Sequence, residues 1–336
     1  MSQTVCLIPG DGIGPEVTGA ARQVLEAAGA ELEWVELPAG ESAVQTHGSP
    51  LPDRTVAAIM GHKVCLKGPV ATPIGGGFTS INVQLRRRLG LYAAVRPVRS
   101  LPNVPSRYRN VELVVVRENT EGLYSGIEHE VVPGIVESLK ITTLSACTRI
   151  ARWAFDYAQT RGRKKVTVFH KANIMKMADG LFLRCARKIR EQFYPRIDYE
   201  ELIIDNGCMQ LVRDPGRFDV LLMENLYGDL VSDLCAGLVG GLGVVPGANI
   251  GDECAVFESV HGTAPNIAGE GIANPLACIM SGVMLLNHIG QTQAAERIKN
   301  AYNAVLAEGD PATLTPDIGG RGGTDQFTQA VIAALR

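Results

Sequence analysis

The chain lacks an apolar run long enough to cross a bilayer: the longest, near Leu276 to Leu286, is broken by Ser281 and Gly282, and a spanning helix needs about 20 apolar residues. None of its eight cysteines forms a C-x-x-C pair or a metal-ligand spacing. They read as buried free thiols of a reducing compartment. There is no extended basic stretch, and a formal charge of −3 with both signs interspersed argues against nucleic acid or an anionic membrane as partner. No basic and apolar leader pattern stands before VCLIPGDGIG, so a cytoplasmic location is expected. Repeats of fixed period and low-complexity tracts are also missing. A dinucleotide fingerprint is tempting at GDGIGPE, but Pro15 stands where G-x-G-x-x-G requires its last glycine, and a Rossmann reading is rejected.

What remains is a 336-residue chain of ordinary globular composition, enough for two domains with substantial cores. Strand and helix patterns alternate from Val5 onward, with Pro15 able to open a first helix and Gly29 to close it, which predicts an α/β sheet. The stretch Gly237 to Gly251, GLVGGLGVVPGANIG, is expected to be a flexible connection returning the chain to its first domain.

The stretch ENLYGDLVSD, Glu224 to Asp233, places Asp229 and Asp233 four residues apart where an apolar strand gives way to a helix. That spacing stacks both carboxylates on one face, where they repel unless a divalent cation lies between them. Half of a hard-metal site and a solvated helix face both fit. Asp205 is a third acidic residue at a strand-to-helix turn. Gly75, Gly76 and Gly77 free the backbone of a loop that can approach an anion, and a helical segment follows with Arg86, Arg87 and Arg88. Arg87 and Arg88 read as a solvated face. Arg96 and Arg117 each follow an apolar strand and, with Arg86, suit a clamp for carboxylates. Tyr124 sits among small residues in EGLYSGIEH, at the start of an arm or hairpin; a lone tyrosine is usually a packing residue. Lys171, in HKANIMK, could present an amine to a site with Asn173 beside it, although solvent is the commoner fate of such a lysine. The loop ESVHGTAPNIAGEGIANP is polar, turn-rich and suited to a nucleoside.

Taken together, LIPGDGIGPE, GGGFTSINVQLRR, RENTEGLYSGIEH, HKANIMK, NLYGDLVSDL and HGTAPNIAGEGIANP resemble the isocitrate and isopropylmalate dehydrogenase family of β-decarboxylating dehydrogenases. The match runs over nearly the whole chain in unbroken order, and is nearest to catalytic subunits of NAD-dependent isocitrate dehydrogenases. The resemblance implies a two-domain α/β fold with a shared twisted sheet, unlike a Rossmann fold: residues 1–98 plus 241–336 form a large, cofactor-binding domain. Residues 99–240 form a small domain for dimerisation, metal and substrate, with an arm near 122–143. It implies a homodimer with a shared active site. Asp229 and Asp233 would bind Mg²⁺ or Mn²⁺, with Asp205 supplied across the interface. Arg86, Arg96 and Arg117 would hold substrate carboxylates, Ser80 and Asn82 the γ-carboxylate of isocitrate, and Tyr124, with Lys171 and Asn173 of the other protomer, the reacting carbons. Lys171 would act as base and Tyr124 as acid. Thr72, His261, Gly262, Thr263, Ala264, Asn266, Ile267 and Asn274 would hold NAD. Neither Asn266 nor Ile267 supplies the cation an NADP 2′-phosphate would need, although relatives using NAD commonly carry aspartate at the Asn266 position. The alternatives are isopropylmalate or homoisocitrate as substrate, and a non-catalytic regulatory role in the same fold.

Overall fold

A computed structural model describes residues 2–72 and 79–335; Gly75, Gly76 and Gly77 of the expected anion loop lie outside the described residues. Twelve strands are present among those described: β1 (Gln3–Ile8), β2 (Leu32–Glu36), β3 (Val64–Lys67), β4 (Ala93–Arg99), β5 (Glu112–Glu118), β6 (Gly122–Val132), β7 (Ile135–Ile141), β8 (Lys165–His170), β9 (Asp198–Ile203), β10 (Val220–Met223), β11 (Pro246–Ile250) and β12 (Ala255–Ser259). Ten form one mixed sheet in the order β2-β1-β3-β12-β11-β4-β5-β10-β8-β9, and β6 with β7 forms a separate hairpin.

The sheet consists of two parallel blocks. One, β2-β1-β3-β12, comes from the two chain ends; the other, β5-β10-β8-β9, comes from the middle. Between them β11 and β4 run antiparallel to each other and to both flanks, so the blocks point in opposite directions. Parallel strands bury both faces under crossover helices and therefore read as continuous apolar runs, as VLLM of β10 does, with all four residues buried. Each such side chain contributes about 1.5–3 kcal/mol relative to an exposed one. This is the two-ended, non-Rossmann sheet that the sequence resemblance implies.

Side chains alternate along a strand, and at the centre this gives the sheet two distinct faces. Ala94 and Arg96 of β4 line one cleft together with Asn249 of β11 and Glu258 of β12. Val95 and Pro97 of β4, Ile250 of β11 and Phe257 of β12 line a groove of about 720 Å³ on the other side, closed by Trp153 and Tyr157. Those two rings stack at 5.2 Å.

Residues 237–251 correct the expectation of a flexible connection. The helix Asn225–Val239 runs into them, a short 3₁₀ turn follows at Leu242–Val244, and Pro246–Ile250 is β11 itself. Gly240 and Gly241 take positive φ and end the helix, while Gly247 is an ordinary strand residue. Glycine content marked the bend but hid the strand. Two helices, Glu41–His47 and Thr292–Glu308, are additions to the sequence reading.

The hairpin stands apart as the expected arm. Val131, Val132, Ile135 and Val136 at its tip are about half exposed or more, and a two-stranded ribbon has little stability alone.

Candidate active site

The front cleft, about 140 Å³, lies over the central strands. Arg117, near the end of β5, is only 1% exposed and lies within electrostatic reach of Arg86 and Arg96, which line the cleft. Its guanidinium passes beneath the helix Asn225–Val239 because residue 228 is glycine: a Cβ there would overlap the Arg117 side chain. Arg117 Nε donates to Asn225 Oδ1 at 3.0 Å, and Nη1 forms an ion pair with Asp229. Tyr124 donates its hydroxyl to the other Asp229 oxygen at 2.5 Å, so the phenol has a carboxylate partner rather than a purely packing role. Arg96 crosses from β4, 3.9 Å from Asp229 and 3.0 Å from Asp233. The two carboxylates of the i,i+4 pair therefore face a common guanidinium, and Asp229 does not lie on a solvated helix face. Asp233 keeps 56% side-chain exposure at the rim.

Arg86, from the helix Ile81–Arg88, completes the set. It is buried, 3.9 Å from Glu258, and its Nε has no partner. Burial first, then the neighbouring guanidiniums, lower the proton affinity of both Arg86 and Arg117, the latter to about 10. Burial pushes Asp229 up, but Arg117, Tyr124 and Arg96 outweigh it and hold the carboxyl below its usual range. Burial and Asp229 raise the Tyr124 phenol, which keeps its proton in place. Ser80 caps the same helix as Arg86 and accepts from Thr72 at 3.3 Å. Asn82 lines the cleft, its Oδ1 buried and without a partner among the described residues.

Arg87 differs from its expected solvated role: Nη2 donates to the Tyr124 carbonyl at 2.6 Å and ties this helix to the arm. Arg88 pairs with the exposed Asp53 at 2.6 Å.

Two charged residues escaped the sequence reading. Lys67, 1% exposed at the end of β3, pairs with Glu258 at 2.5 Å, and Asn249 donates to the same carboxylate at 2.7 Å. Burial would raise Glu258, but Lys67 and Arg86 hold it at about 2. The signal available was the one used for Arg96 and Arg117: a charge directly after an apolar strand run.

Lys171 and Asp205 lie elsewhere. They pair with each other at 2.5 Å, with side chains 30% and 68% exposed, and no described contact joins either to Tyr124, Asp229 or Asp233. Asn173 is exposed beside them. Among the described residues no three His, Cys, Asp or Glu side chains form a metal-binding group. The carboxylate pair at 229 and 233 nevertheless has the all-oxygen chemistry that suits a hard divalent cation, and would need a third ligand from outside the chain.

Residues 260–275 form a loop between β12 and the helix Leu276–His288. Gly12, at φ 58°, packs so closely on Thr263 that a Cβ would overlap its carbonyl, and Ile13 N donates to that carbonyl at 2.9 Å. Ala264 takes φ 39°, Asn266 is exposed and Ile267 half-buried. Asn274 donates to Asp317 at 2.9 Å. His261 Nδ1 lies 3.0 Å from the Gly262 carbonyl and must donate to it; burial lowers the ring's proton affinity, leaving Nε2 as a buried acceptor without a partner. Ser259 Oγ is likewise unpartnered. Orphaned buried polar atoms at the junction of loop and cleft fit a polar ligand such as a nucleotide cofactor.

A family model described as isocitrate/isopropylmalate dehydrogenase matches residues 4–331. The chain is 52% identical to isocitrate dehydrogenase [NAD] catalytic subunit 5 of Arabidopsis thaliana over 98% of its length and 87% of that protein's. It is 50% identical to an isocitrate dehydrogenase [NAD] regulatory subunit from Dictyostelium discoideum, over 99% and 92%. With 3-isopropylmalate dehydrogenase of Solanum tuberosum it shares 52% over 92% and 87%. The crystal structure of isocitrate dehydrogenase from Methylococcus capsulatus superposes with a TM-score of 0.96 at 49% identity, covering 99% of both chains.

Proposed function

The chain belongs to the isocitrate/isopropylmalate dehydrogenase family, and within it we propose that it oxidises isocitrate with NAD⁺ and decarboxylates the product to 2-oxoglutarate. One observation carries this reading: three guanidiniums are gathered at one place, Arg86 and Arg96 lining the cleft and Arg117 close enough that both lower its proton affinity. Such crowding of cations suits a polycarboxylate, which can take bidentate hydrogen bonds from several of them at once. Isocitrate brings three carboxylates and isopropylmalate two. The Asn82 side-chain amide, which lines the cleft, and the hydroxyl of Ser80 can donate to a carboxylate and favour the acid with the extra one over one with an isopropyl group.

When bound, Mg²⁺ or Mn²⁺ would acidify the substrate hydroxyl and offset negative charge on its oxygen, and NAD⁺ would accept the hydride. Asp229 and Asp233 would hold the cation together with Asp205 of a second copy; Thr72, His261, Gly262, Thr263, Ala264, Asn266, Ile267 and Asn274 would hold the cofactor. Arg86, Arg96 and Arg117 orient the acid. Lys171 of the second copy receives the hydroxyl proton, with Asn173 beside it. Tyr124, kept protonated by burial and Asp229, delivers its proton to C3 once CO₂ has left. Exposed Lys171 and Asp205 and the apolar tip of the arm support a homodimer with shared sites. We place the domain boundaries at 98/99, before the last residue of β4, and at 240/241, ahead of β11. The eight unpaired thiols support a reducing compartment such as the cytoplasm.

The test is turnover of purified chain with Mg²⁺ and isocitrate, homoisocitrate or isopropylmalate, each against NAD⁺ and NADP⁺. Isocitrate with NAD⁺ is expected to give the highest kcat/KM. A higher value with isopropylmalate overturns the substrate assignment, and no turnover with any acid identifies a regulatory protein.

A further inference from the structure

Behind the arm lies a buried ionic network that the proposed chemistry does not use. Asp179, in the first turn of the helix Ala178–Phe193, is wholly buried. One of its oxygens accepts the backbone N–H of Lys171 at 2.6 Å. The other takes a 2.5 Å hydrogen bond from the Lys140 ammonium on β7. Lys140 also donates to Glu224 at 2.5 Å, and Glu224 immediately precedes the helix that carries Asp229 and Asp233. Thr142 holds the second Glu224 oxygen at 3.3 Å, and the Lys140 ammonium lies 5.4 Å from the centre of the Tyr227 ring.

One buried cation thus serves two buried carboxylates. Burial raises Glu224 to about 7, with Lys140 opposing the rise and Asp179 adding to it. Leaving such carboxylates without their cation is costly. No exposed surface is at stake: the Lys140 side chain is 18% accessible and that of Glu224 11%. Three separate pieces of chain meet at this ammonium, namely the arm, the segment that presents Lys171, and the start of the helix bearing the metal-binding pair.

We propose that Asp179 and Lys140 are positioning residues for Lys171: the Asp179 carboxylate fixes the Lys171 backbone, and Lys140 locks that carboxylate to the arm and to Glu224. This rests on the reading of Lys171 as the base that receives the substrate's hydroxyl proton. Proton transfer demands that the acceptor nitrogen be held within hydrogen-bond reach, and a misplacement of about 1 Å costs about 10²-fold in rate. The side chain of Lys171 is long and partly exposed, so its backbone anchor is what limits its wandering.

The charge balance gives a distinctive signature. Lys140→Met leaves two carboxylates without their cation. Asp179→Asn is nearly isosteric and keeps an oxygen to accept from Lys171. Combining them removes one cation and one anion together. Lys140→Met is expected to lower kcat about 10²-fold with the isocitrate KM within about twofold. The same drop is expected in the reduction of oxalosuccinate, because that step also needs a proton at oxygen. The double variant should recover part of this loss. Hydrogen exchange at the Lys171 amide, read by mass spectrometry on the intact protein, should accelerate in Lys140→Met and slow again in the double variant. Unchanged kcat and unchanged exchange in both single variants overturn the proposal. So do losses in the double variant that add, which would indicate general destabilisation. If wild type turns over no acid, the functional reading has failed instead, and the exchange measurement still decides whether the network anchors Lys171.

Discussion

The two groups of residues expected to meet in one active site are built differently. Arg96, Arg117 and Tyr124 all meet Asp229, with Arg117 buried beneath a helix and Arg86 buried beside Glu258. Lys171 and Asp205 sit at the surface, and among the described residues their side chains form an ion pair with each other, at 2.5 Å. The first group is complete within a single chain, its carboxylate matched by guanidiniums. The second consists of a base and an acid that satisfy each other while the rest of a site is missing. A site that needs both is expected to be assembled between copies, and each copy then carries a finished half and a waiting half.

The sharpest way to break this contrast is to disable the finished half. Asp229→Asn is expected to abolish measurable turnover and also to lower folding stability, because it removes the carboxylate paired with the buried Arg117. Metal plus isocitrate should raise the melting temperature of wild type by linkage and of the variant much less; equal shifts would remove Asp229 from the metal site. Next comes Tyr124→Phe, which should reduce overall 2-oxoglutarate formation about 10²- to 10⁴-fold. Reduction of oxalosuccinate by NADH should be spared by comparison, since it needs no proton on carbon. An equally steep fall in that partial reaction would make Tyr124 a positioning residue for every step.

Mixing sharpens the comparison further. If each site takes Asp229 from one copy and Lys171 from another, then Asp229→Asn and Lys171→Met chains, inactive alone, should complement after co-refolding. Random pairing makes half the dimers mixed, with one intact site in two, so about a quarter of wild-type activity should return. No recovery would place all the residues within one chain. The smallest effect is expected where neither half is touched. Asn266 is exposed in the cofactor loop, so Asn266→Asp should favour NAD⁺ over NADP⁺ by only about two- to fivefold, the range of a solvated charge interaction. A ratio of kcat/KM values that stays fixed would put cofactor discrimination elsewhere.

Much of this was legible in the chain itself, for reasons that differ by residue. Arg117 announced itself because a charge at the end of an apolar strand has no solvent to point to, whereas Arg96, expected at a strand end by the same rule, lies in the middle of β4. Asp229 and Asp233 were marked by a helical spacing that makes little sense without a cation. Lys67 and Glu258 obey the same strand-end rule but were passed over, because each is followed by a motif, the glycine loop and HGTAP, that drew the reading away. Strand β11 was hidden by the glycines around it and by its own Gly247, which packs in a buried strand without advertising its period. The Lys140–Asp179–Glu224 network was invisible for a deeper reason: its successive members lie 39 and 45 residues apart, and nothing local says that burial will bring them together. Arg87, placed in solvent on spacing alone, turned out to hold the arm's backbone.

The two-faced centre of the sheet also gives this protein a built-in optical reporter. It has only two tryptophans. Trp34 lies on β2, the outermost strand at one edge of the sheet, whereas Trp153 stands in the rear groove against residues whose strand neighbours line the front cleft. Light emitted by Trp153 therefore samples the back of the wall on which chemistry would occur, with no tryptophan in the cleft itself to be quenched by substrate. Trp34 is a distant reference lamp. Silencing it with Trp34→Phe leaves a single emitter one backbone thickness from the arginines, from which movement of the central strands can be read in real time without attaching a label.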